Sequence, residues 1–145
     1  MTNYIITGSD DNSIRIFTTR GDQGGFIHVF EKAHTDSVTC LDVTKDDKYI
    51  ISGSKDNSIR IFDFEKRELV YSFAGLHKSR NYFGALLLSS IGSVLSLAVT
   101  SDSQYIISGS DDSSILIIDL ENRRPLHVID QAHESKKYLL PFSMQ

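Results

Sequence analysis

The sequence predicts an all-β protein built from repeated four-stranded antiparallel units, and three observations support this. First, one segment occurs three times, as YIITGSDDNSIRIF from Tyr4, YIISGSKDNSIRIF from Tyr49 and YIISGSDDSSILII from Tyr105. Second, the copies start 45 and 56 residues apart, which is near the length of a repeat unit of about 40 to 45 residues with four strands. Third, each copy joins a short β-branched run to an alternating apolar and polar run through a polar pair, as in a β-hairpin.

Two further strands are predicted around the second and third hairpins, whereas the first unit lacks the strand that would precede its hairpin. Residues 37–43 and 93–99 alternate in polarity and precede the hairpin across the polar turns TKDDK and TSDSQ. Residues 69–73 and 126–129 follow it, after EKRE and ENRR. The chain is therefore divided into a partial first unit (1–31), a second unit (32–74), a third unit (75–130) and the start of a further strand (131–145).

Composition and charge are those of one globular domain. The 145 residues are 40% hydrophobic and 23% charged. A net charge of -4 without a long basic block disfavours nucleic acid as a partner. The N-terminus has neither a secretory signal nor a transit-peptide pattern. The single cysteine, Cys40, suits a reducing compartment, so we expect the cytoplasm, with the nucleus as an alternative, and no cofactor.

These repeats resemble the WD-repeat β-propeller family over nearly the whole chain. The family's unit carries a Gly-His pair, an Asp in the turn between its second and third strands, and Trp-Asp at the end of the third. Here His34 and His77 lack the preceding glycine, and Phe17, Phe62 and Ile118 stand at the Trp position. The resemblance implies a partial WD-repeat β-propeller of about 2.75 four-stranded antiparallel blades and a non-catalytic protein-protein interaction scaffold.

The resemblance also implies a hydrogen-bond network in each blade. The matching residues of the structural network are Thr7, Asp11, His34, Ser52, Asp56, His77, Ser108 and Asp112. Because Phe and Ile lack an indole N–H, the network is expected to end at the hydroxyl. A His, Ser and Asp set also describes a hydrolase triad, but the set recurs in successive units, which favours a structural role. We therefore predict no enzyme, no catalytic residue and no metal site.

Residues 78–92 interrupt the third unit as a predicted loop insertion. A valine follows His34 by four residues but follows His77 by 17. In the family such loops lie on the face that usually binds partners, and the predicted partner-binding loop residues are Thr35, Asp36, Lys55, Tyr82, Phe83 and Leu87. Three interpretations are open: a partner-binding or packing insertion, retained non-coding sequence, and a membrane-associated adaptor that uses the uncharged, apolar residues 81–100. A propeller enzyme is the least favoured function.

The number of units is too small for a closed ring, because each blade hides its two faces only against neighbours. We expect a fragment of a larger WD-repeat protein or self-association that completes the ring. Residues 137–142 stand where a first strand is expected, so two copies could lend this segment to each other and close a ring of six blades. The expected partners are other proteins of unknown identity and a second copy, with no nucleic acid and with a membrane disfavoured.

Overall fold

The computed structural model describes residues 3–20, 24–83 and 86–132, with side chains described outside 78–91. All the regular structure that it describes is β-strand, and the predicted all-β class is confirmed. The first sheet has three antiparallel strands, β1 (Tyr4–Gly8), β2 (Ile14–Thr18) and β3 (Gly25–Phe30). The second sheet has four, β4 (Val38–Val43), β5 (Tyr49–Ser54), β6 (Ser58–Asp63) and β7 (Glu68–Ala74).

The chain then forms a two-stranded sheet and a last four-stranded sheet. The small sheet is made of β8 (Lys78–Phe83) and β9 (Leu86–Ile91). The third large sheet is made of β10 (Val94–Val99), β11 (Tyr105–Ser110), β12 (Ile115–Asp119) and β13 (Arg124–Ile129). Neighbours in each sheet are consecutive in sequence, so every large sheet is an antiparallel meander.

The repeated segment forms the central hairpin of each large sheet. Its turn needs one residue in the left-handed region, and this residue is Asn12, Asn57 or Ser113, with φ of 70°, 63° and 70°. The aspartate that precedes it accepts a backbone N–H from two residues further on, for example from Ser58 to Asp56 at 2.9 Å. The polar pair of the sequence therefore caps its own turn.

The second sheet is buried on both faces and organises the core. Ile50 and Phe62 belong to a cluster with Ile14, Ile16 and Phe30 of the first sheet. On its other face, four side chains of the second sheet pack against five of the third, and this cluster contains Ile51, Ile59, Ile61, Phe73, Val94, Ile106, Leu116, Ile118 and Leu120. Period-two alternation thus places successive residues of each strand in different sheet-sheet interfaces.

The insertion predicted over residues 78–92 lies between β7 and β10 and is a hairpin instead of an irregular loop, because β8 and β9 pair from Lys78↔Ile91 to Phe83↔Leu86. Two apolar, β-prone runs pair with each other here, which satisfies their backbone groups without joining a neighbouring sheet. The residues on either side of the hairpin lie close together, because the Gly92 N–H donates to the His77 carbonyl at 3.3 Å. A side chain at Gly92 would place Cβ 2.7 Å from the Asp112 Cβ, so only glycine fits.

Among the described residues, no helix is long and apolar enough to cross a membrane. Most of the apolar segment 81–100 lies in the strands β9 and β10. The predicted further strand at 131–145 lies almost entirely outside the described residues, since the structure describes the chain only to residue 132.

We expect Gly53→Ala to lower the free energy of unfolding by about 1 to 3 kcal/mol, because overpacking a filled interface forces its neighbours apart. The new Cβ would lie 2.6 Å from the Cys40 Sγ and 2.5 Å from a Val94 methyl, between the second and third sheets. Gly109 is the matched control, because its Cβ would meet only the Ser96 Oγ, at 2.9 Å. Urea denaturation should give a clearly smaller loss for Gly109→Ala, and equal losses would contradict the prediction.

Candidate functional site: two buried histidine networks and the turns beside them

His34 lies at the centre of a buried hydrogen-bond network in the second sheet. Its Nε2 is 2.7 Å from the Ser52 Oγ on β5, and its Nδ1 is 3.0 Å from the Asp56 Oδ2 in the turn after β5. Because a carboxylate only accepts, Nδ1 carries the proton and Nε2 accepts from the Ser52 hydroxyl. Asp56 also accepts from the Thr35 N–H at 2.9 Å and from the Ser58 hydroxyl at 2.6 Å. Both carboxylate oxygens are therefore satisfied.

His77 makes a corresponding network in the third sheet. Its Nε2 is 2.9 Å from the Ser108 Oγ on β11, and its Nδ1 is 2.7 Å from the Ser114 Oγ. Ser114 donates to the Asp112 Oδ1 at 2.6 Å, whereas the His77 Nδ1 is 3.9 Å from that oxygen. A hydrogen bond does not span that distance, so histidine and aspartate are linked through the serine.

The two networks differ at the residue that follows the histidine. In the second sheet this residue is Thr35, whose N–H donates to the Asp56 Oδ2. In the third sheet it is Lys78, the first residue of the inserted hairpin. The Asp112 Oδ2 is buried and has no hydrogen-bond partner among the described residues. Among the described residues, Asp112 therefore accepts hydrogen bonds from Ser114 alone, whereas Asp56 accepts them from Ser58, Thr35 and His34.

Asp56, His34 and Ser52 are connected in the order of a hydrolase triad, but their surroundings do not suit catalysis. His34 is 1% exposed and Ser52 is 0% exposed. Ser52 lies in β5, between the paired strands β4 and β6. A nucleophile must reach its substrate, and no substrate can approach this hydroxyl in the folded sheet. These polar groups instead form hydrogen bonds with one another and with the backbone, and these hydrogen bonds hold the turn in place.

Burial sets the direction of both histidine pKa values. Desolvation lowers the pKa of His34, and the adjacent Asp56 carboxylate offsets this only in part. The pKa of His77 is lowered for the same reason. Burial would raise the pKa of Asp56, but the hydrogen bonds from Ser58 and Thr35 and the contact with His34 outweigh it, and the pKa falls to about 2. His34 and His77 are therefore both neutral at neutral pH.

We expect the free energy of unfolding to fall as the pH is lowered below about 6.5, which is the pKa of histidine in an unfolded chain. Since folding lowers the pKa of His34 and His77, the unfolded chain binds these protons first. Their contribution is complete above the unfolded pKa and is lost as pH falls toward the folded pKa. The Asp56 contribution is lost later, from about pH 4 toward its folded pKa of about 2.

Urea denaturation between about pH 7 and pH 5 measures this histidine dependence. A variant with both His34→Gln and His77→Gln should show a flatter pH dependence over this range. An unchanged slope in the variant would contradict the assignment to these two residues.

The remaining predicted residues are placed as follows. In the first sheet, Thr7 and Asp11 are exposed, and Asp11 contacts Ser13 and Arg15 instead of a histidine. The hydrogen bonds from Ser13 and Arg15 lower the pKa of the Asp11 carboxyl. Three predicted loop residues are exposed beside the His34 network: Thr35, Asp36 and Lys55. The other three lie on strands of the small hairpin and not in a loop, and their side chains lie outside the described ones: Tyr82, Phe83 and Leu87.

Sequence reasoning missed the serines that contact the Nδ1 atoms, Ser58 and Ser114. The available signal was the serine that recurs two residues after each turn aspartate. It also missed two links between sheets. The Thr39 hydroxyl donates to the Val94 carbonyl, and the Val99 N–H donates to Asp42 at 2.7 Å.

A further missed feature is a cleft at the opposite end of the second and third sheets. It has a volume of about 240 Å³ and is lined by Asp46, Lys48, Glu121 and Arg123 around an apolar base that includes Ile61. Its two acidic and two basic groups balance, so it favours neither cationic nor anionic ligands. Among the described residues, no group of three or more His, Cys, Asp and Glu side chains could hold a metal ion.

The repeated units of this chain match the model of a known protein family. The family model described as WD domain, G-beta repeat matches residues 1–18, 24–63 and 84–119. These ranges make up about two thirds of the 145 residues. A comparison with curated proteins finds no match.

Solved structures show the same fold. A crystal structure of the RRP9 WD40 repeats is similar with a TM-score of 0.70 and 21% identity, over 88% of this chain and 35% of that chain. A structure of U3-55K is similar with a TM-score of 0.70 and 20% identity, over 88% of this chain and 36% of that chain. This chain therefore spans about a third of each of these structures.

Proposed function

This chain belongs to the WD40-repeat family, and on that premise we propose that it is a non-catalytic scaffold that binds proteins through the exposed turns beside its histidine networks. The WD40 fold indicates a protein-interaction scaffold in general. One observation carries the finer proposal: the buried His34 network holds the backbone of an exposed turn in place. The polar groups of the repeat therefore support a surface and do not face a substrate.

The turn is fixed at several points while its side chains face solvent. The Thr35 N–H is bound by Asp56, the Asp36 carbonyl accepts from the Ser54 hydroxyl at 3.1 Å, and the Lys55 N–H donates to the Ser37 carbonyl at 3.1 Å. A partner would meet a backbone that is already ordered, which lowers the entropy cost of binding. Thr35, Asp36 and Lys55 present a hydroxyl, a negative charge and a positive charge to it.

Site-specific photo-crosslinking tests this proposal. A crosslinking amino acid is placed at Lys55, or at Lys66 as a control, since both lysines are exposed and lie in the turns at opposite ends of β6. We expect the crosslinking amino acid at position 55 to capture proteins and the one at position 66 to capture none. We also expect Asp36→Lys to reduce the capture at position 55. Equal capture from both positions, or none from Lys55, would contradict the proposal.

The size of the chain supports a second part of the proposal, that it is a segment of a larger WD40 protein. Three large sheets correspond to about a third of the two similar structures. Sequencing the full-length transcript tests this, because it would show whether further repeats adjoin the present ones.

We also propose a cytoplasmic location, with the nucleus as the alternative. The support is the lone Cys40, which suits a reducing compartment. Imaging of a fluorescently tagged chain would test this, and accumulation in a secretory organelle would overturn it.

A further inference from the structure

The small hairpin of β8 and β9 is a two-stranded sheet whose outer edges have no neighbouring strand among the described residues. Its two strands pair along their inner edges, from Lys78↔Ile91 to Phe83↔Leu86. In an antiparallel pair, alternate residues of each strand turn their N–H and C=O groups away from the partner strand. The outer edges of β8 and β9 therefore each carry a row of backbone donors and acceptors that a further strand could bind.

The two outer edges differ in charge. β8 carries two cations at alternate positions, Lys78 and Arg80, whereas β9 has the sequence LLLSSI and carries no charge. Charged residues on an edge strand, lysine above all, are a common protection of natural sheets against edge-to-edge pairing. The edge of β8 is therefore protected against pairing, and the edge of β9 is open to it.

The open edge of β9 requires an occupant that supplies a strand. A sheet of two strands is only marginally stable in water, and a stable sheet needs three or more, as in the three large sheets of this chain. A lipid bilayer does not meet this requirement, because its hydrocarbon has no hydrogen-bonding partner for an open sheet edge.

A second copy of β9 does meet the requirement. Two identical strands can pair antiparallel about a two-fold axis, with each strand satisfying the backbone of the other. Because β9 is uncharged, this pairing brings no like charges together. Pairing of β8 with its own copy would instead place Lys78 and Arg80 close to their counterparts, which is unfavourable.

We propose that the β9 strands of two copies of this chain pair edge to edge and form a four-stranded sheet in the order β8, β9, β9, β8. The hairpin is an insertion between the second and third large sheets, so this pairing is independent of whether further repeats adjoin the chain. It is also independent of the proposed binding through the turns beside His34.

Light scattering coupled to size exclusion, over a range of protein concentrations, tests the proposal with two matched variants. Ser90→Lys places a charge on β9, and Ser79→Lys is the control on β8, because Ser79 and Ser90 lie directly opposite each other in the hairpin. We expect the wild type to form a dimer of twice 16.3 kDa. Ser90→Lys enters the contact from both copies and should weaken the dimer by about 10-fold or more, whereas Ser79→Lys should leave it intact.

Two further measurements complete the test. Circular dichroism and thermal melting check that each variant folds, and Ser89→Lys is a second β9 variant if Ser90→Lys does not. Vesicles of anionic phospholipid should leave the wild type in the supernatant, and binding to them would overturn the choice of a second copy over a membrane. A wild-type monomer at all concentrations, association that the β9 variant leaves unchanged, or equal weakening by the β8 and β9 variants would overturn the proposal.

Discussion

Ile51→Ala is expected to lower the free energy of unfolding by about 2 to 4 kcal/mol. Ile51 is 0% exposed and lies between the second and third sheets with Val94, Ile106 and Leu116. Shortening it removes apolar contacts and leaves a cavity that two rigid sheets cannot close completely. Urea denaturation with linear extrapolation measures the loss.

Ile107→Ala is the matched control, because it is the same substitution at the same position of the next repeat. Ile107 is 40% exposed, so the loss should be about 1 kcal/mol or less. A loss at Ile107 equal to the loss at Ile51 would contradict the difference in burial between the two positions.

Asp56→Ala is expected to cost about 2 to 4 kcal/mol, because it removes the common acceptor of several hydrogen bonds in one part-buried network. The donors are the His34 Nδ1–H, the Thr35 N–H, and the N–H and hydroxyl of Ser58. The aspartate side chain is 5% exposed, so water does not readily replace it. Urea denaturation at neutral pH measures the loss.

Asp112→Ala should cost less, about 1 to 2 kcal/mol. Its described donors come from Ser114 alone, and one of its carboxylate oxygens is buried without a partner among the described residues. A larger loss at Asp112 than at Asp56 would contradict the difference between the two networks.

The repeated segment made most of the fold predictable. The pattern YII followed by SGS and SIRIF indicates a hairpin on local grounds, and the three copies repeat one hairpin. The histidine, hydroxyl and aspartate positions could be predicted for the same reason, since residues at fixed places in a repeat occupy equivalent places in space. The structure places His34 within hydrogen-bond distance of both Ser52 and Asp56.

The features that could not be predicted depend on contacts between repeats. The sequence does not show that Thr39 and Asp42 hydrogen-bond to the backbone of β10, because it does not show that β10 lies beside them. The hairpin at 78–91 has no counterpart in the other units, so the repeat gave no template for it. Gly84 between two apolar runs was a local signal for a turn, but an apolar run without clear alternation does not fix a partner strand.

The central claim is that the His34 network stabilises a scaffold, and a double-mutant cycle on His34 and Asp56 tests it most directly. The free energy of unfolding is measured for wild type, His34→Ala, Asp56→Ala and the double variant. Because the side chains contact each other at 3.0 Å within one buried network, we predict a coupling energy of about 1 to 2 kcal/mol. Losses that add to within about 0.5 kcal/mol would contradict the claim.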